Sequence, residues 1–153
     1  MDFILFDTPY GRMGLVEESG VIVRLYLPNE GTPRIAEHET PLLVKGKRQL
    51  MEYFDGARRE FDLPLRSEGT EFRKKVWKAL LDIPYGATIS YGQLAVNVGN
   101  PKAVRAVGQA NHHNPIPILI PCHRVVGSNG TLTGYGGGME LKRQLLDLEQ
   151  EGG

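Results

Sequence analysis

A chain of 153 residues with 41% hydrophobic and 24% charged content has room for one ordinary domain or two small ones, and this composition excludes a disordered or fibrous polypeptide. The formal net charge is zero, which excludes a strongly basic nucleic-acid coat, yet the halves differ: residues 1–69 carry 9 Lys/Arg against 12 Asp/Glu, and residues 70–153 carry 9 against 6. No apolar run reaches transmembrane length, the N-terminus lacks a signal-peptide pattern and one cysteine excludes an internal disulfide, so a soluble, cytoplasmic protein is expected.

The chain opens with three β-rich runs, Phe3 to Phe6, Met13 to Val16 and Val21 to Leu27, separated by the turn signals Thr8-Pro9-Tyr10-Gly11 and Glu17-Glu18-Ser19-Gly20. An antiparallel meander is the expected result. Thr40 then Pro41 reads as an N-cap and first helical residue, with Leu43, Leu50, Tyr53 and Phe54 on one face and Gly46 weakening the helix. From Asp55 to Gly69 the pattern is irregular, a linker. His38, among acidic neighbours, reads as a solvated side chain.

The second half is better patterned. Thr70 caps a helix with Phe72, Val76, Ala79, Leu80 and Ile83 at helical spacing, Trp77 widening the stripe and Glu71 and Lys75 placed to pair. Ser90 and Gln93 fit a capping box for a short helix that Gly99 ends, and Asn100-Pro101 opens a second helix to about His112. Two such helices in a three-helix set make a helix-turn-helix, with Lys102, Arg105, Gln109 and His112 as one polar stripe among small residues. A solvated helix face is the competing reading of that stripe. A last helix, Met139 to Glu149, carries Leu141, Leu145 and Leu148 inward, and Glu149 near its end, where the helix dipole disfavours a carboxylate, suggests a specific partner, with exposure to water as the simpler reading. The expected fold class is α+β: a sheet-and-helix domain with linker over residues 1–69, then a mostly helical domain over 70–153.

The apolar run Ile116-Pro117-Ile118-Leu119-Ile120 delivers the only cysteine, Cys122, between Pro121 and the pair His123-Arg124. A thiol becomes a good nucleophile as a thiolate, which imidazole and cationic neighbours favour. Adjacent strand residues point to opposite faces, but Pro121 lacks an amide donor and turns the chain, so His123 can reach the sulfur directly or through one water. A buried, inert cysteine beside a core histidine is the alternative on these residues alone. The run Gly134-Tyr135-Gly136-Gly137-Gly138 is either a connection or a main-chain surface for a flat ligand.

Pro121-Cys122-His123-Arg124-Val125, preceded by Asn114-Pro115-Ile116-Pro117, closely resembles the active-site signature of the O6-alkylguanine-DNA alkyltransferases, also called methylated-DNA–protein-cysteine methyltransferases. The resemblance runs from about Thr70 to Glu149. It implies a ribonuclease-H-like N-terminal domain, a winged helix-turn-helix that binds the minor groove of double-stranded DNA, a flipped-out O6-alkylguanine and direct, irreversible alkyl transfer to the cysteine. No cofactor is implied, and the zinc site that some members carry cannot be copied without a cysteine before Cys122.

By match of motif, Cys122 is the alkyl acceptor and His123, through a water and backed by Glu149, the group that deprotonates it, while Asn114 buttresses the turn. Tyr91 matches the tyrosine that rotates the nucleotide and Arg105 the arginine that fills the vacated stack, with Lys102, Ala106 and Gln109 beside it on the DNA face. Arg124 and Val125 are assigned to DNA or base contact, the latter through its backbone, and Pro117 and Tyr135 to the pocket walls. Gly136 stands where relatives often have serine, leaving a backbone amide to meet the guanine oxygen. A monomer is expected. An alkyltransferase-like protein that binds lesions without transfer, a Cys-His hydrolase and a plain transcription factor remain as alternatives.

Overall fold

A computed structural model describes residues 1–132, 135 and 137–151. Strands β1 (Asp2–Thr8), β2 (Gly11–Glu18) and β3 (Val21–Tyr26) form an antiparallel sheet in the order β1-β2-β3. The β2–β3 hairpin closes on Ser19 and Gly20, both at positive φ (54° and 82°), the two-residue turn whose twist matches the strands. Glycine takes that geometry without strain. Helix α1 (Pro41–Phe54) starts where Thr40 accepts a hydrogen bond from the Leu43 amide at 3.0 Å, and lays Leu43, Leu50, Tyr53 and Phe54 on the sheet. Gly46, a weakness by helix propensity, allows this contact: a Cβ there would lie 3.0 Å from Leu15 Cδ1. Each such fully buried side chain contributes about 1.5–3 kcal/mol.

Residues 55–69 are mostly irregular, as the pattern implied, but they cover a sheet edge. Ile22 donates to Pro64 O at 2.8 Å and accepts from Arg66 N at 3.0 Å. Further along β3, the Leu25 amide donates to Pro115 O at 3.0 Å, fastening the sheet to the segment that leads to Cys122. An edge that would otherwise expose a row of amides is thereby closed.

The second half begins with α2 (Glu71–Leu80), capped by Thr70, with Val76, Trp77 and Leu80 buried. Its ion pair is Lys74 to Glu71 at 3.7 Å, in place of the expected Lys75. Helix α3 (Tyr91–Asn97) is capped by Ser90 Oγ, but the capping box is half made, since Gln93 donates its side-chain amide to Asn97 at 2.8 Å. Helix α4 is Val104–His112, three residues shorter than Asn100-Pro101 implied. The reason is local: Ala103 donates to Asn100 O at 3.0 Å, so Pro101 and Lys102 lie in a turn. Trp77 Nε1 donates to Ala110 O at 2.7 Å and locks α4 on α2.

Two-residue strands β4 (Ile89–Ser90) and β5 (Val125–Val126) pair in parallel, joining the start of α3 to the segment after Cys122. Helix α5 (Met139–Glu151) closes the core with Leu141 and Leu145. One hydrophobic cluster runs from the sheet through to α5 and includes Cys122. No helix among the described residues is long and apolar enough to cross a membrane.

Candidate active site

Asn114 organises the approach to the cysteine. Its Oδ1 accepts from Ile116 N at 3.0 Å and its Nδ2 donates to Ile120 O at 2.8 Å, tying both ends of the apolar run. Between them Leu119 N donates to Pro117 O at 2.9 Å across Ile118, whose φ of 73° is rare for a β-branched residue. A second tight turn follows at Pro121, with Cys122 N donating to Ile120 O at 2.8 Å. Strain of this kind costs on the order of 1–3 kcal/mol per residue and persists only where the surroundings enforce it. The strand expected before the cysteine is replaced by these turns, and after Pro121 the residues Cys122–Arg124 form one turn of 3-10 helix.

All three residues of that turn are buried, His123 completely. The His123 and Arg124 side chains converge on one carboxylate delivered by α5. Glu149 accepts from His123 Nε2 at 2.7 Å, from Arg124 Nε and Nη2 at 2.8 and 2.9 Å, from the Tyr53 hydroxyl at 2.5 Å and from Gly86 N at 3.2 Å. Burial alone would raise its pKa, but the bonds from His123 and Arg124 outweigh burial and hold the carboxyl well below its usual range. Glu149 is therefore an anion. An ionised carboxylate only accepts, so the His123 nitrogen facing it carries the proton.

That assignment fixes the other nitrogen. Burial lowers the His123 pKa despite Glu149, so the ring is neutral and Nδ1 is left as a bare base. Nδ1 is buried and has no hydrogen-bond partner among the described residues. Cys122 is 3% exposed, and burial pushes its thiol up to about 11, opposed by the Asn114 side chain and the charge of Lys142. Cys122 thus holds a protonated thiol, and the next residue in the turn a neutral imidazole whose Nδ1 has no partner among the described residues, so proton removal has to accompany attack.

Arg124 requires a correction. Expected at the DNA, its guanidinium instead turns into the core, bound side-on to Glu149 and donating Nη1 to Ile83 O at 2.7 Å. A bidentate pair of this kind uses the fork geometry of arginine, leaving no face for a groove. Val125 keeps its place beside the turn, but its carbonyl accepts from Lys142 Nζ at 2.5 Å.

Three polar residues that the sequence reading gave no part in the site stand close by. Lys142 is fully buried, and burial lowers its pKa to about 8. Tyr53 reaches Glu149 from α1, and Asn111 Nδ2 donates to Cys122 O at 3.3 Å. Lys142 alone left a signal: with Leu145 and Glu149 it falls at i, i+3 and i+7 on the inward face of α5.

Tyr91 opens α3 with its ring against Gly108 of α4 and Lys142 Nζ 5.8 Å from its centroid. Arg105, Ala106 and Gln109 are exposed on α4, and Lys102 is exposed in the turn before it, off the helical stripe expected for it. Arg105 makes no ion pair among the described residues. Pro117, Tyr135 and Cys122 line one small cavity, Tyr135 with a buried hydroxyl that has no partner among the described residues. Gly136 lies outside the described residues. Among those described, no group of three His, Cys, Asp or Glu side chains is placed to hold a metal ion.

Residues 71–151 match the DNA-binding domain of the 6-O-methylguanine DNA methyltransferases, and residues 1–67 match the ribonuclease-like domain of the same family. The constitutive methylated-DNA–protein-cysteine methyltransferase of Bacillus subtilis is 51% identical over 152 residues, covering 94% of this chain and 92% of that protein. That of Methanosarcina acetivorans is 44% identical over 153 residues, covering 97% and 98%. The crystal structure of Mycobacterium tuberculosis OGT in complex with DNA superposes with a TM-score of 0.93 at 44% identity, covering 99% of this chain and 94% of that one. With both halves matched and the likeness extending from end to end, the chain belongs to the 6-O-methylguanine DNA methyltransferase family.

Proposed function

We propose that this chain repairs DNA by direct reversal, moving the alkyl group of O6-alkylguanine, a methyl group above all, onto its own Cys122. The sulfur attacks the alkyl carbon in line with the departing oxygen. The S–C bond forms, the C–O6 bond breaks and the electron pair stays on the guanine, whose anion takes up one proton to restore the intact base, while the sulfur is left as a thioether. The thiol proton passes to His123 Nδ1 through one water, and Glu149 stabilises the imidazolium that results. No ordinary reductant reverses a thioether, so each molecule acts once.

The observation that carries this reading is the buried constellation at the only cysteine: a neutral His123 with Nε2–H spent on Glu149 and Nδ1 without a partner among the described residues. The neutral thiol suits a protein that should be inert until a lesion arrives. The chain binds DNA, and we place the duplex with its minor groove on α4. There Arg105 enters the stack where the base leaves, and Lys102, Ala106 and Gln109 flank it. Tyr91 rotates the nucleotide and donates to the bound guanine, while Asn114 holds the turn and Pro117 and Tyr135 wall the pocket. Residues 1–69 act as the supporting domain and 70–153 as the transferring one. The large exposed apolar side chains, such as Val44 and Leu81, are few, which suits a cytoplasmic monomer.

Intact mass and peptide mapping after mixing with a limiting amount of duplex carrying one O6-methylguanine test the proposal. One methyl on Cys122 per lesion is the expected outcome, and Cys122→Ala should abolish transfer while retaining the lesion duplex. A wild-type chain that binds the duplex yet stays unmodified would belong with lesion binders that do not transfer, and the relay through His123 and Glu149 would fall.

A further inference from the structure

The cavity at the thiol has a wall from the other half of the chain. Its volume is about 40 Å³, and Leu27 and Glu30 line it together with Asn114, Pro117, Cys122 and Tyr135. Space on this scale beside the sulfur holds a group of a few heavy atoms.

Leu27 is held there at several points. It follows β3 directly and is 2% exposed. Its amide donates to Glu30 Oε1 at 2.8 Å, its carbonyl accepts from Glu30 N at 3.0 Å, and Arg24 Nη2 donates to Glu30 Oε2 at 2.8 Å. The turn Leu27-Pro28-Asn29-Glu30 is thus fastened by main chain and side chain, with Pro28 fixing its φ. Two residues earlier the bond from Leu25 N to Pro115 O sets β3 against the segment that carries Cys122. On the far side a Cβ at Gly137 would lie 2.7 Å from Leu27 Cδ1 and 2.9 Å from Tyr135 Cε2, so the tail closes on Leu27 because it has no side chain there.

In-line displacement places the reacting carbon between the sulfur and the guanine oxygen. Anything attached to that carbon beyond hydrogen must project sideways, against the walls. Leu27 offers no hydrogen bond, so it can act there only by excluded volume and apolar contact.

We infer that Leu27, fastened by its turn with Glu30, is a specificity-determining residue that limits the size of the alkyl group Cys122 accepts. The first half of the chain then shapes the pocket as well as supporting it. This inference rests on the reading of Cys122 as the alkyl acceptor.

The test is single-turnover transfer from duplexes carrying O6-methylguanine or O6-benzylguanine, using the full chain and the variants Leu27→Ala, Leu27→Val and Leu27→Phe, each checked for native circular dichroism. The benzyl-to-methyl rate ratio should rise about tenfold in Leu27→Ala and by less in Leu27→Val, and should fall in Leu27→Phe. If Leu27→Ala does not fold, the opposite shifts of Val and Phe decide. Ratios within about twofold of wild type in every folded variant would overturn the role of Leu27 while leaving methyl transfer itself intact. Failure of the wild-type chain to methylate Cys122 would instead remove the acceptor reading, and this inference with it.

Discussion

The two halves use the same charged residue types for different ends. In the first, two ion pairs lie in water: Arg12 meets Asp7 at 3.0 Å with both side chains more than half exposed, and His38 meets Asp2 at 2.9 Å. In the second, Glu149 has 1% side-chain exposure and gathers His123 and Arg124 at comparable distances. Distance alone does not separate these pairs; solvent does. Water screens the first set nearly to nothing, while the second set has been stripped of hydration and depends on its partners.

The largest test of this contrast is Glu149→Gln. It removes the anion that Arg124 and His123 face and leaves a guanidinium buried without a counter-charge, a change that costs about 3–5 kcal/mol. For a chain of this size the Tm should fall on the order of 10 °C. Methyl transfer should slow by about 10²–10⁴, because the tautomer that bares His123 Nδ1 is no longer enforced. In wild type the folded carboxyl lies below its unfolded value, so its contribution is complete above about pH 4.3 and is lost as the pH drops further. Thermal unfolding across acid pH would check both; a Glu149→Gln Tm equal to wild type at neutral pH would break the contrast.

Arg124 shows which part of the site the sequence made legible. The strands, the caps at Thr40, Thr70 and Ser90, and the Cys122-His123 turn are local features, written in residues within a few positions of each other. The direction of the Arg124 side chain is set by Glu149, 25 residues later, and that of Tyr53 by the same carboxylate 96 residues away. Hydrophobic period carries no such information. The strands β4 and β5 are two residues each, too short for alternation to register. Helix α4 starts later than the Asn100-Pro101 pattern implies because proline at a first helical position is a tendency, and here the Asn100–Ala103 turn prevails.

Two buried groups sharpen the same argument with opposite signs at alkaline pH. Lys142 has its folded pKa lowered to about 8 against about 10.4 unfolded, so the penalty for burying its charge lifts as the pH rises between those values and stability increases. Cys122 has its folded pKa raised to about 11 against about 8.5 unfolded, so the stability it lends is complete below the lower value and is lost across that interval. Between about pH 8.5 and 10 the two oppose each other. Relative to wild type, Cys122→Ala should gain stability over that range and Lys142→Met should lose it, read as urea midpoints. Parallel curves for all three chains would mean that the sulfur and the amine are not desolvated as described.

On the exposed face of α4 the expected effects are on binding. Arg105→Ala should weaken retention of a lesion-bearing duplex by about tenfold or more, since a planar cation stacked in the vacated base position is worth about 1–3 kcal/mol. Lys102, in the turn before the helix, offers a point charge to a phosphate. Lys102→Ala should cost a few-fold on lesion and plain duplex alike and reduce the salt slope by about 1. Equal losses for the two variants, independent of the lesion, would reduce α4 to a general phosphate contact.

The smallest effect is expected where the contrast began. Arg12 and Asp7 face each other across the β1–β2 ladder in register, and their mutual attraction raises the pKa of Arg12 and lowers that of Asp7. Both groups stay hydrated, however, so little is lost when either is removed. Arg12→Ala should leave the Tm at neutral pH unchanged within error and leave the transfer rate at the wild-type value, because among the described residues the pair has no ion pair with the Glu149 cluster or with Glu30 of the turn that holds Leu27. A Tm loss comparable to that of Glu149→Gln would show that proximity, and not desolvation, ranks the ion pairs of this protein.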